Sequence, residues 1–186
     1  MNVQPRLPAT PDDFLLWNEE REGRREFVDG RVVEMMINTT IRHAVLATRL
    51  AAALLRLFPY PRFFVGTSDV AVRTERGIRY PDVFVDQGTP EHVDRELVAE
   101  HPIFLAEVLS ASSLGRDFVD KAGEYTAIPS LRFYVVAAQD EPRVWFWART
   151  GDGWTKREIF GADEMIDLDE GKIALSELYA GIGQRA

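Results

Sequence analysis

Asp82, Glu107 and Lys121 are three charges set where apolar residues are expected. In IFLAEVLS the alternate residues Ile103, Leu105, Glu107 and Leu109 share one face of a strand, and the third of them is a carboxylate. IRYPDVFVD repeats the pattern with Ile78, Tyr80, Asp82 and Phe84. Further on, Leu114, Phe118, Lys121, Tyr125 and Ile128 recur at spacings of 4, 3, 4 and 3, a helical stripe with one charged member. A carboxylate taken out of water needs a compensating cation or takes up a proton, so the three charges answer one another if the fold brings them together. Two carboxylates on neighbouring strands suit a hard divalent cation such as Mg²⁺ or Mn²⁺, which keeps part of its water and accepts phosphate oxygens. Such an ion makes its bound water more acidic. A nearby lysine then positions that water or stabilises charge building on a phosphodiester. The chemistry is hydrolysis without a covalent intermediate.

The elements that must carry these residues are legible from pattern and punctuation. Thr10 before Pro11, Asp12 and Asp13 predicts an N-cap and a short helix through Phe14, Leu15 and Trp17. REFVDGRVVEM reads as two short strands about an Asp29-Gly30 turn. The longest helical pattern runs from Thr40 to about Phe58 and is closed by Pro59 and Pro61; Leu46, Leu50, Leu54 and Leu57 form its stripe. FFVGTSDVAVRT and IRYPDVFVD predict two paired strands about Glu75-Arg76-Gly77, followed by the strand IFLAEVLS. The helical stretch from Leu114 to Ala127 precedes LRFYVVAA, apolar enough throughout to be a central strand. RVWFWAR and GWTKREIF make a hairpin about residues 150–153, and ALSELYAGIG ends the chain as a short helix. No period of 20 to 50 residues recurs, so the expectation is one mixed α and β domain over 1–186 with residues 1–9 loose.

Composition narrows the class. The apolar fraction of 46% in 186 residues is enough for one core, and the absence of cysteine removes disulfides, thiol catalysis and thiolate metal sites. A cytoplasmic location is the default for such a chain, and no stretch approaches the ~20 apolar residues of a membrane span. With 22 basic and 30 acidic residues the formal charge is −8, which opposes non-specific attraction to phosphate backbones unless basic residues are confined to one groove.

Pro81-Asp82, Glu107 at the head of EVLS, Asp117 and Tyr125 placed four residues either side of Lys121, and IPSL together resemble the Uma family of putative restriction endonucleases, within the PD-(D/E)XK nuclease superfamily. The likeness spans nearly the whole chain and includes REFVDGRVVEM, His43 and LSELY. It implies an α+β (α/β) fold of restriction-endonuclease type, a mixed sheet flanked by helices with additional N-terminal and C-terminal hairpins. It implies a Mg²⁺- or Mn²⁺-dependent endonuclease acting on DNA, with Asp82, Glu107 and the Val108 backbone carbonyl as metal ligands. Where the superfamily has lysine two positions after the acidic strand residue, this chain has Leu109, and the resemblance implies that Lys121 on the helix takes that role. Glu26, His43, Ser110, Asp117 and Tyr125 are supporting candidates. Symmetric cutting of duplex DNA implies a homodimer.

Each residue also has a plainer reading. Asp82 reads as a turn acid after proline, Lys121 as an ammonium reaching solvent beyond an apolar stripe, and Tyr125 as core. Ser110 reads as a helix cap and the Asp117–Lys121 pair as surface decoration. Glu26 reads as an exposed strand glutamate and His43 as a partly buried histidine. Arg42, Arg49 and Arg56, seven residues apart, are better read as a solvated ridge than as phosphate contacts. Trp145 and Trp147 read as core or dimer contact. Two rival functions follow: a nuclease-fold binding or assembly module that keeps the charge cluster as a buried ion network, and a hydrolase of small phosphorylated substrates.

Overall fold

A computed structural model of the chain describes residues 7–19, 21–35, 39–88, 97–109 and 116–182. Its elements are α1 (Pro11–Glu19), β1 (Arg25–Val28), β2 (Arg31–Glu34), α2 (Ile41–Leu57), β3 (Phe64–Thr67), β4 (Ala71–Thr74), β5 (Gly77–Arg79), β6 (Val83–Asp86), β7 (Val98–Ala99), β8 (Pro102–Leu109), α3 (Arg116–Thr126), β9 (Phe133–Ala138), β10 (Arg143–Thr150), β11 (Gly153–Phe160), β12 (Met165–Leu168), β13 (Gly171–Ala174) and α4 (Leu175–Leu178). Local chemistry explains the boundaries. Thr10 Oγ1 accepts from Asp13 N while the Asp13 carboxylate accepts from Thr10 N, a reciprocal cap for α1. Asp29 and Gly30 both have positive φ, 49° and 76°, so the β1–β2 turn has the handedness that matches strand twist. Thr40 caps α2 by accepting from His43 N at 3.2 Å.

A six-stranded mixed sheet in the order β11-β10-β9-β8-β6-β3 forms the centre. β8 and β9 run parallel and their neighbours antiparallel, with α3 in the crossover between them. A five-stranded sheet, β2-β1-β5-β4-β7, and the β12–β13 hairpin complete the mixed α+β architecture. α2 lays Leu46, Leu50 and Leu54 on one face of the large sheet, against Val83, Val85, Phe104, Ala106 and Val135. The opposite face carries Phe84, Leu105, Leu109, Tyr134, Val136 and Trp147 against Ala122 and Tyr125 of α3 and Ile128 just beyond it. Trp147 is therefore core. No helix among the described residues is long and apolar enough to cross a membrane.

Two sequence readings need correction. The two long strands expected from FFVGTSDVAVRT and IRYPDVFVD are four: β3 and β6 pair in the large sheet, β4 and β5 in the other. The chain breaks where Ser68 takes a positive φ of 47° and where Pro81 can give no N–H to a ladder. Ile103 does not share the Leu105 face, because a register irregularity beside Asp86 re-aims it into the α2-side core. The arginine ridge of α2 is solvated as read, with Arg42 and Arg56 exposed and paired with Asp140 and Glu177, while Arg49 donates to the carbonyls of Leu178 and Ala180.

Gly66 of β3 sits under the Phe84 ring, and a Cβ there would lie 2.5 Å from two ring carbons. Gly66→Ala should lower stability by about 1–3 kcal/mol, the usual cost of overpacking. A urea titration reads this as a lower midpoint with an unchanged slope.

Candidate functional site

β6 and β8 pair antiparallel with Val83 opposite Ala106 and Phe84 opposite Leu105. Continuing that register by one residue sets Asp82 opposite Glu107, and directly opposed residues project to the same face. Asp82 lies just past the end of β6, where its Oδ2 replaces a strand as partner for β8 and accepts from Val108 N at 2.8 Å. The same Oδ2 is 3.0 Å from His43 Nε2, brought in by the first turn of α2. Both donors use one oxygen. The Asp82 hydrogen bond raises the imidazole pKa of His43, against burial and the nearby Arg24 charge.

Glu107 reaches α3. Its Oε1 accepts from Lys121 Nζ at 3.0 Å and from Tyr125 OH at 2.9 Å. Burial pushes the Glu107 carboxyl up to about 7; Lys121 opposes that rise, while Asp82 and Glu26 add to it. Burial also works against the charge on Lys121, yet Glu107 and Glu26 outweigh it and keep the ammonium protonated. Burial raises the Tyr125 hydroxyl well above the ordinary phenol range, so Tyr125 acts as a donor. Glu26, on β1 of the other sheet, approaches Lys121 at 3.5 Å, and that Glu26 oxygen is buried with no hydrogen bond. Asp82, Glu107, Val108, Lys121, Tyr125, Glu26 and His43 thus converge. Ser110 and the side chain of Asp117 lie outside the described residues.

Sequence reading missed the arginine that ties the five-stranded sheet to α3 at this point. Arg79 of β5 is buried; it donates to Glu26 Oε2 at 2.7 Å and to both carboxylate oxygens of Glu124 on α3, one of them at 2.9 Å. Thr74 and Arg76 also bind Glu124. A second missed link runs behind His43: Thr40, whose Oγ1 caps its turn, donates to Gln139 at the end of β9. The sequence signal for Arg79 is the same anomaly as for the acids, a charge in a short apolar strand.

Fit to a divalent ion is judged from the donors themselves. Asp82 and Glu107 offer hard oxygen, and among the described residues their protein donors occupy only Oδ2 and Oε1. The second oxygen of each carboxylate is left for a ligand. Among those residues no group of three or more His, Asp or Glu lies together in a way that could hold a metal ion. An ion of the Mg²⁺ type needs only one or two carboxylates, because it retains water. The residues fit.

A mixed sheet flanked by helices, with two acids at adjacent strand positions, defines a nuclease-like α+β protein. The crystal structure of a putative nuclease belonging to DUF820 from Anabaena variabilis ATCC 29413 has the same fold, with a TM-score of 0.70 at 15% identity over 93% of this chain and 98% of that one. Residues 11–176 match the Uma2 family, described as "Putative restriction endonuclease", and the chain belongs to that family. Two uncharacterized proteins of Synechocystis are similar along their length. One, sll1609, is 28% identical and covers 88% of this chain and 94% of its own. The other, slr1290, is 23% identical and covers 93% and 92%.

Proposed function

We propose that the chain is a divalent-metal-dependent endonuclease that hydrolyses DNA phosphodiester bonds, working in the cytoplasm as a homodimer. The observation that carries the reading is the approach of Asp82, Glu107 and Lys121 from two strands and a helix, with Lys121 Nζ 3.0 Å from Glu107. Asp82, Glu107 and the Val108 carbonyl would hold Mg²⁺ or Mn²⁺, which when bound supplies Lewis acidity toward a phosphate oxygen and a more acidic water. Register supports the carbonyl. It sets Val108 opposite Pro81, which has no N–H to give it.

The remaining roles belong to the chain. His43 and Val108 N hold Asp82 by one oxygen, and Tyr125 and Lys121 hold Glu107 by one, so both carboxylates are aimed before anything binds. Lys121, kept charged by Glu107 and Glu26, donates to the attacking water or to the phosphate oxygen on which charge grows. Glu26 and Arg79 fix where that ammonium sits.

One observation favours a second reading, a binding or assembly module. Arg79, Glu26, Glu124 and Lys121 already form a buried ion network without a metal. Plasmid relaxation separates the two. Supercoiled DNA should be nicked in Mn²⁺, and Lys121→Ala should slow nicking by about 10²-fold, the size of effect expected for one donor to a developing oxyanion. An inert wild type whose melting temperature ignores Mn²⁺ would favour the module. Turnover of a small phosphodiester with the plasmid left intact would favour a small-substrate hydrolase.

A further inference from the structure

Three arginines within five residues line one cavity of about 340 Å³, and none of them has a carboxylate at hydrogen-bond distance among the described residues. Arg21 and Arg24, from the connection between α1 and β1, and Arg25, the first residue of β1, share the cavity with Asn18, Ser68, Asp69, Tyr80 and others. Elsewhere among the described residues Arg42, Arg56, Arg73, Arg76, Arg79, Arg132 and Arg143 each meet a carboxylate within 3.5 Å. Arg25 has only Glu34, 3.8 Å away. Arg24 reaches the Ser68 carbonyl at 3.2 Å, and Arg21 lies over the Trp17 ring.

Among the described residues two N–H groups of the lining, Arg21 Nε and Arg25 Nη1, are buried without an acceptor, as is Nε1 of the adjacent Trp17, while Asn18 Oδ1 is buried without a donor. Unsatisfied buried donors are rare, and several in one place call for an acceptor that is absent. Glu19 and Asp69 also line the space, leaving the lining one charge positive. A compact anion with several acceptor oxygens meets these donors; an apolar or cationic ligand does not.

The cavity adjoins the candidate site. Tyr80 is two residues before Asp82, Ser68 N donates to the Asp82 carbonyl, and Arg24's charge is felt at His43. We propose that this cavity binds a backbone phosphate of the nucleic-acid strand, one that flanks the phosphodiester held at Asp82 and Glu107. It gives a chain of net charge −8 one place to hold a polyanion: three arginines that meet no carboxylate at hydrogen-bond distance among the described residues stand beside the centre. The assignment rests on the nuclease reading for its substrate, but phosphate binding is measurable without catalysis.

The test uses the full-length protein in EDTA, with inorganic phosphate and a labelled DNA duplex as separate probes. Phosphate should raise the melting temperature of the wild type and of Lys121→Ala, and should do nothing for the double variant Arg21→Gln, Arg25→Gln. The same double variant should bind the duplex at least tenfold more weakly, with a salt dependence shallower by about one counterion. The variant gives up the Arg21 stack on Trp17, so its own melting temperature without phosphate is the baseline from which its phosphate shift is read. Arg21→Lys with Arg25→Lys, which keeps charge but loses the fork, should recover part of the duplex affinity and little of the phosphate effect. A wild type indifferent to phosphate, or a double variant that binds duplex like wild type, overturns the proposal. So does saturable binding of an acidic peptide in place of the duplex. Phosphate and duplex binding with no nicking in Mn²⁺ would sink the nuclease reading and leave the pocket standing.

Discussion

Arg79→Ala should be the most damaging single substitution near the site, lowering stability by about 3–5 kcal/mol. The size follows from what it strands. Glu26 and Glu124 are 2% and 6% exposed, and Arg79 is the group that bonds both. Burial opposes the charge on Arg79, but Glu124 and Glu26 outweigh that and hold its pKa above the ordinary arginine range. Removing one member of such a set leaves buried charge uncompensated, which costs far more than the set contributes relative to an apolar equivalent. Arg79→Lys should recover less than half of the loss, since one ammonium cannot reproduce a fork that spans two carboxylates. Arg79→Met combined with Glu26→Gln and Glu124→Gln should recover most of it. Urea midpoints at constant slope measure all three. A loss below about 1 kcal/mol for Arg79→Ala would mean that the two carboxylates are hydrated, and that the five-stranded sheet is not tied to α3 through this arginine. The consequence for chemistry is positional: a freed Glu26, 3.5 Å from Lys121, competes with Glu107 for the ammonium.

Arg79 also marks the boundary of what the sequence reveals. The mixed α+β order, the hairpins and the long capped helix are written locally, in Asp29-Gly30, in Thr40 and in the leucine stripe of α2. Asp82 and Glu107 announce themselves by breaking an alternation, and the antiparallel register then sets them opposite each other. Arg79 breaks the same kind of pattern, but its meaning lies in partners 53 and 45 residues away, and no spacing in the chain connects them. The split of two expected strands into four depends on a positive φ at Ser68, a non-glycine residue whose conformation is set by its neighbours in space. The phosphate cavity is hidden for another reason. Arg21, Arg24 and Arg25 look like any solvated charge run, and only the census of acceptors sets them apart from Arg42, Arg49 and Arg56.

Glu107→Gln should make the metal-free protein more stable at pH 8 while removing its response to Mn²⁺. The carboxyl is held near 7 in the folded state, chiefly by burial, against 4.5 when exposed. Between those values the unfolded chain has released the proton that the folded chain keeps, so this group subtracts stability as pH rises, with the full penalty present above about 7 and none below about 4.5. A shift of that size corresponds to about 3 kcal/mol. Glutamine mimics the protonated form. The variant should therefore match wild type near pH 4.5, gain on it steadily through pH 7, and keep a constant lead beyond. His43, raised by Asp82, also loses its contribution as pH rises through its folded pKa, but it does so in both proteins and largely cancels in the difference. A divalent ion reverses the order, because it binds the ionised carboxylate and competes with the proton. Mn²⁺ should thus raise the wild-type melting temperature more at pH 8 than at pH 5.5 and leave Glu107→Gln unmoved. Such a trade, stability given up for a charged group that only a ligand satisfies, is what a site built for binding requires and a structural ion network does not. If Glu107→Gln is instead less stable than wild type at pH 8, its carboxylate is a net structural partner of Lys121, and the buried network exists for the fold.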